Sequence, residues 1–415
     1  MIEKIATLAI FIACYYLAIT RKVKIAYASL GAAGMLILLG IVSPQLAVFS
    51  AIKWDVLGIY WGFMMVSMIF MESGMPKLLA NKTIGKLKKE KYVLLALCVI
   101  TAFLSSFMEN VGAVLMMVPV AVEVSKKLKS DLFPFMVAIA ISSNVVTTLA
   151  MIADPPSLIL AMETGMKFFD FYWFQGRLSI GVITFFGVTA ALLSLLCIFR
   201  KMEKTVKIKE ECVKVDYMPS AVFAAGVIAL AVCPYFEVRP GLVGLVVGFI
   251  ALLVGRRNMK SMLKDFDWNS FFFITGIFVV VSSLQATGLL SDFVNLMAGT
   301  GISDASVMLA LIIWISVAAS SFIDNVPYTV LMIPVCSQLA NLMGVNPFPF
   351  LFGMLIGTGI GGNITPVGAT ANVFACGVLE RHGIKIKLRD YLKISLPFSI
   401  IAVLVSHILL QILWM

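Results

Sequence analysis

The chain has 415 residues, 61% of them apolar and 13% charged, with 32 Lys and Arg against 22 Asp and Glu and a net charge of +10. Soluble domains average about 45–50% apolar and 25% charged. Here the excess is gathered into long uncharged runs, with a mean hydropathy of +1.02, which excludes a soluble globular fold. The basic residues lie between those runs, as in membrane proteins generally, so the charge does not point to nucleic acid and no nucleic-acid partner is expected.

In chain order, the run 2–19 is apolar enough for a signal-peptide core. It lacks a small-residue cleavage site and is followed by Arg21, Lys22 and Lys24, so it is predicted as the first span. Spans follow at 25–42 and 54–73, the former containing Gly31 and Gly34, which would permit close helix approach. The arms 92–104 and 113–124 are short for crossing, and the polar tip Ser105–Gly112 lies between them; they predict a re-entrant hairpin. The long run 134–165 is interrupted by Ser142–Ser157, which ends in Asp154-Pro155-Pro156, a sequence no continuous helix tolerates. After a span at 178–199 comes a charged linker of mixed sign, 200–218. Spans recur at 219–236, 240–255 and 268–290, then a second short pair, 305–319 with 326–340, around the tip Ser320–Pro327. The run 349–380 is broken at Gly357–Asn372, rich in Gly and containing Pro366, and 392–414 is the last span.

The two halves repeat. Ser105-Ser106-Phe107-Met108-Glu109-Asn110-Val111 returns as Ser320-Ser321-Phe322-Ile323-Asp324-Asn325-Val326, 215 residues later, and Trp54 and Gly74 return as Trp268 and Gly288. Each half, 1–199 and 219–415, therefore has five spanning segments and one hairpin. An odd number of crossings turns the second half upside down. The expected fold is an all-α polytopic membrane protein of two inverted repeats, each with one broken helix, the architecture of secondary transporters. Of the 32 Lys and Arg, only Lys4, Lys53, Lys167, Arg177 and Arg239 fall on one face. The basic face, linker included, is expected in the cytoplasm of a cell (plasma or inner) membrane, which puts both termini outside.

Unwound backbone survives at membrane depth only when buried in protein or lining a cavity. That makes the two tips and two breaks the candidate site. Glu109, Asp324 and Asp154 are the carboxylates within them, and a charge at mid-bilayer costs about 2.5–3.5 kcal/mol. Burial disfavours the charged carboxylate and a bound cation favours it, so such a group can exchange a proton for a cation. Glu109 and Asp324 can equally cap the hairpin tips, and Asp154 can simply belong to a turn. Asn110, Asn325, Asn144 and Asn363, with Ser105, Ser106, Ser143, Ser320 and Ser321, offer neutral oxygens for sodium or substrate. Interhelical hydrogen bonding is the plainer role for them. Thr147, Thr148, Thr365 and Thr370 are weaker candidates. Glu72 and Glu123 read as interfacial, and His407 as a packed or lipid-boundary residue. Seven scattered cysteines with no CxxC, and no GxxxxGK[ST], predict no disulfide framework, no metal centre and no built-in ATPase.

The tips SSFMENVGAVLMMVP and SSFIDNVPYTVLMIP and the breaks NVVTTLAMIADPPS and GGNITPVGATANV resemble those of the ion transporter superfamily. The closest pattern is the branch holding arsenical pump membrane proteins, the melanosomal P protein, plant silicon efflux transporters and one class of sodium/proton antiporters. The resemblance implies a scaffold, a mobile transport unit of hairpins and broken helices, and often a homodimer. By that resemblance Ser106, Asn110 and Asn144 would line one site, a transient sodium site, with Ser321, Asn325 and Asn363 as its inverted counterpart. Substrate would sit near Thr147, Thr148, Thr365 and Thr370. Dicarboxylate members favour Ser-Asn-Thr at both tips, where this chain has Glu109-Asn110-Val111 and Asp324-Asn325-Val326.

The function expected is proton- or sodium-coupled secondary transport, with efflux of arsenite or antimonite as first reading. A sodium/proton antiporter with no other substrate is the second, and symport of a carboxylate or other anion the third. A channel or a membrane enzyme fits less well. Beyond the coupling ion no cofactor is expected. The partners expected are the lipid bilayer and a small inorganic solute or anion; a separate ATPase subunit is left open.

Overall fold

The alternation of apolar runs and charged loops folds into helices throughout, as seen in a computed structural model that describes residues 2–20, 22–205, 213–299 and 301–415. Arg21, and Lys207, Lys209 and Cys212 of the charged linker, lie outside the described residues. The first half comprises α1 (Ile2–Thr20), α2 (Ile25–Leu38), α3 (Pro44–Leu46), α4 (Trp54–Glu72), α5 (Met75–Ile84), α6 (Glu90–Ser105), α7 (Asn110–Leu128), α8 (Leu132–Asn144), α9 (Pro155–Thr164) and α10 (Ile180–Ile198). The second comprises α11 (Met218–Val232), α12 (Pro240–Val254), α13 (Met259–Asp265), α14 (Trp268–Ala286), α15 (Leu289–Ala298), α16 (Ala305–Ser320), α17 (Asn325–Met343), α18 (Pro347–Gly361), α19 (Thr370–Arg381) and α20 (Leu388–Trp414). The one β element described is a short ribbon, Trp173–Phe174 with Arg177–Leu178. Among the described residues, seven helices are long and apolar enough to cross a membrane.

The spanning runs carry helices at the expected places, with three differences. The hairpin arms are longer than their apolar cores, because α7 continues through Ser125, Lys126 and Lys127 and α17 begins at the polar Asn325. Both tips end inside the protein, Ser105 at the carbonyl of Ser143 and Ser320 at that of Thr358, where α8 and α18 near their interruptions, although α17 by itself is long and apolar enough to cross. Second, α5, α13 and α15 are short separate helices, too short and mixed in sequence for span patterning to reveal. Third, Gly31 and Gly34 have open space around them. The close approaches fall at Gly58 and Gly62 of α4 against Gly241 and Gly244 of α12, where an added Cβ would collide with backbone.

The inversion is visible in the packing. Helix α2 lies along α14 and α12 along α4, while α9 packs against α17 and α19 against α7. Matching contacts recur at matching positions. Gly276 meets Ser29 as Gly62 meets Gly244, and Trp54 and Trp268 each donate their indole N–H to the backbone of the preceding segment, at 2.7 and 2.8 Å. Residues 202–204 pair with the start of α6, Glu90 N–H to Lys204 O and Lys91 N–H to Met202 O. Lys204 Nζ also caps the last carbonyls of α7, reaching Lys129 O at 2.6 Å. The Lys91 ammonium, 2.7 Å away, holds the Glu203 carboxyl below its usual range. This strap ties together both arms of the first hairpin at their open end.

Candidate functional site

Each hairpin tip is built by a Ser–Asn pair, a carbonyl of the broken helix and a capping carboxylate. Ser105 Oγ lies 2.6 Å from Asn110 Oδ1 and 2.9 Å from Ser143 O, its one proton shared between two acceptors. Ser320 Oγ lies 2.6 Å from both Asn325 Oδ1 and Thr358 O. Glu109 begins α7 by accepting the Gly112 N–H at 2.9 Å, and Asp324 begins α17 by accepting that of Val326 at 3.1 Å. Ser157 holds the first break shut through Thr147 O at 2.6 Å, and Asn372 does the same in the second through Gly362 O at 2.9 Å. These bonds satisfy backbone that the interrupted helices leave unpaired. Ser105→Ala or Ser320→Ala should therefore lower stability by about 1 kcal/mol each, read as an earlier unfolding midpoint in detergent, with transport reduced as the tip loosens.

The tips and breaks surround a cavity of about 560 Å³. Glu109, Asp154, Asp324 and Asp267 line it, with Asn110, Asn144, Asn325 and Thr370. It extends to Glu72, Ser261 and Asp265, at the end of α4 and on α13, and the last two are exposed. That end of the molecule also carries Arg256, Lys260 and Lys264, yet no Lys or Arg is among the described lining residues. Asn144 is 1% exposed and its amide N–H donates to Asn372 Oδ1 at 2.9 Å, while its own Oδ1 has no hydrogen-bond partner. A wall of carboxylates and amide oxygens can bind a cation or carry protons. Among the described residues no group of three His, Cys, Asp or Glu is gathered closely enough to hold a resident metal ion.

The remaining residues expected at the site stand behind the wall. The Ser106 hydroxyl is committed to its own helix at Ala102 O, that of Ser321 is shared between Val317 O of its own helix and Gly361 O of α18, and Thr147 Oγ donates to Asn144 O. Thr365 Oγ donates to Ser321 O, and Ser143 Oγ to Ala140 O. Thr148 is fully buried, its hydroxyl unpartnered. Of the residues suggested for a sodium site, Asn110 and Asn144 thus reach the cavity, and Ser106 lies behind it. Asn363 is not the counterpart of Asn144. The 215-residue offset that pairs Ser157 with Asn372 sets Gly359 opposite Asn144 and Thr148 opposite Asn363, and Asn363 instead donates to Ile141 O at 3.1 Å. Glu72, read as interfacial, stands at the cavity mouth, 2.8 Å from Asn258 Nδ2. Asp267 escaped the sequence reading because it lies just before Trp268, outside the start of an apolar run. Its signal was the mismatch with its repeat mate, Lys53.

The model of the citrate transporter family matches residues 15–357. The chain is 24% identical to an uncharacterized transporter of Mycobacterium tuberculosis over 98% of this chain and 97% of that one. It is 24% identical to an uncharacterized transporter of Synechocystis over 96% and 95%. Identity to the P protein of Homo sapiens is 23%, over 92% of this chain and 57% of that protein. Among solved structures, the YdaH transporter of Alcanivorax borkumensis, described as having an unusual topology, superposes with a TM-score of 0.56 at 12% identity, covering 91% of this chain and 87% of that one. That likeness is one of fold.

Proposed function

The chain belongs to the citrate transporter family, and from that premise we propose that this transporter is a secondary active exchanger of protons for a small cation, working by alternating access. One observation carries this reading: Glu109, Asp154, Asp267 and Asp324 converge on one cavity whose described lining holds no Lys or Arg. A free carboxylate anion would meet like charge there, with only the ends of the broken helices to offset it. A cation would find charged and amide oxygens, and its departure would leave carboxylates ready to take up protons. The family's description names citrate; the wall of this chain argues for a cargo of the opposite sign.

The scaffold in this reading is α1, α2, α4 and their mates α11, α12, α14. The hairpins and broken helices move against it. With the basic face in the cytoplasm of the cell membrane and both termini outside, the cavity opens inward. A second reading, export of arsenous or antimonous acid, is favoured by Met64, Met68, Met71 and Met262, whose thioethers line the same cavity. Soft sulfur donors suit a soft centre.

Purified protein in liposomes loaded with a pH dye tests both. Proton movement driven by sodium, but not by potassium, is expected with no other solute present. Silence with sodium, lithium and potassium in folded protein, together with arsenite-driven proton movement, would replace the first reading by the second.

A further inference from the structure

The inverted repeat sets one sequence pattern at both ends of the molecule, and at one position the charge has opposite signs. Lys53 stands at the N-cap position of α4 without capping it, and Asp267 caps the start of α14, each immediately before a repeated Trp. The two indoles make equivalent backbone bonds, so the local structures match while the charges do not. Asp267 lines the cavity; Asp265 and Glu72, further out on the same wall, have Ala51 and Ala286 as repeat mates. At the repeat-related position Lys53 pairs with Glu163, near the end of α9, at 3.3 Å, neutralising the carboxylate there. The unpartnered Oδ1 of Asn144, on the same cavity as Asp267, supplies the deeper neutral oxygen of an approach path.

We propose that Asp267 is a cargo-binding residue of one face only. It draws a small cation into the cavity from the side of α13 and α14, and Lys53 weakens binding of the same cation from the other side. The inference rests on the cation/proton reading above and adds a direction to it: the cation is captured more tightly where Asp267 stands. A cleft lined with one sign of charge raises the local concentration of counter-ions about tenfold or more. The inverted geometry denies that gain to the opposite side.

The test compares everted and right-side-out membrane vesicles of the same cells, with a pH dye inside and sodium chloride added outside. In the wild-type protein, half-saturation by sodium is expected at lower concentration from the Asp267 face. Asp267→Asn keeps the cap on the Ser270 N–H, now 3.0 Å from Oδ1, but loses the charge. It should raise the half-saturating concentration about tenfold at that face and leave the other face within about twofold; Asp267→Glu should restore it. Lys53→Met should lower the half-saturating concentration at the opposite face. An Asp267→Asn protein with unchanged values, or with equal changes at both faces, overturns the inference and leaves the exchange reading standing. A wild-type protein, folded but silent to sodium at both faces, overturns the two together.

Discussion

Liposomes carrying Glu109→Gln together with Asp324→Asn are expected to show no cation-driven proton movement above that of empty liposomes. Both side chains line the cavity, and both also cap a helix: Glu109 accepts from Gly112 N–H and Asp324 from Val326 N–H. The amides preserve an accepting oxygen of similar reach, so the hairpin tips should hold and thermal stability should fall by less than about 1 kcal/mol. Only the titrating charge is removed. Cargo bound without a proton to exchange would still be detectable as sodium-dependent protection against heat unfolding. Full wild-type flux in the double variant would show that the two carboxylates serve the fold alone. Glu109→Ala, which removes cap and charge together, should lose flux and about 1 kcal/mol of stability. The pair of variants separates the two roles.

Gly62→Ala is expected to cost about 2–3 kcal/mol of stability, the largest loss from any single methyl in the scaffold. The Cβ would be driven into the backbone of Gly244, and α4 and α12 can make room only by separating. Small residues at such crossings let helices approach to backbone contact where no hydrophobic effect drives them together. Thermal unfolding followed by tryptophan fluorescence would register the loss. Gly31→Ala is the control, since nothing lies within 4 Å of a Cβ added there. It should be neutral or slightly stabilising, because alanine restricts the unfolded chain. Equal effects at the two positions would refute close packing at Gly62.

Membrane class, the order of spans, the re-entrant hairpins and the inversion of the halves could all be read without coordinates. Hydrocarbon imposes long uncharged runs, and the repeated SSFMENV and SSFIDNV tips mark their own symmetry. The hairpin arms were legible in place though not in length, because polar first turns and terminal lysines hide helix ends from hydropathy. The tertiary structure decided which polar residues face the cavity. At an unwound segment no periodicity of 3.6 or 2 tells one side from another, so Asn144 and Asn363 looked equivalent, yet one lines the cavity and the other bonds Ile141 O behind it. Asp267 became visible only when α14 was packed, since its meaning lies in distance to Glu109, Asp154 and Asp324, residues far away in the chain. The glycines that matter were decided in the same way: free space around Gly31 and backbone contact at Gly62 depend on helices far away in the chain, α14 for the first and α12 for the second. Local sequence fixes where a chain must cross a bilayer or break within it; which atoms then meet depends on partners that only the folded chain supplies.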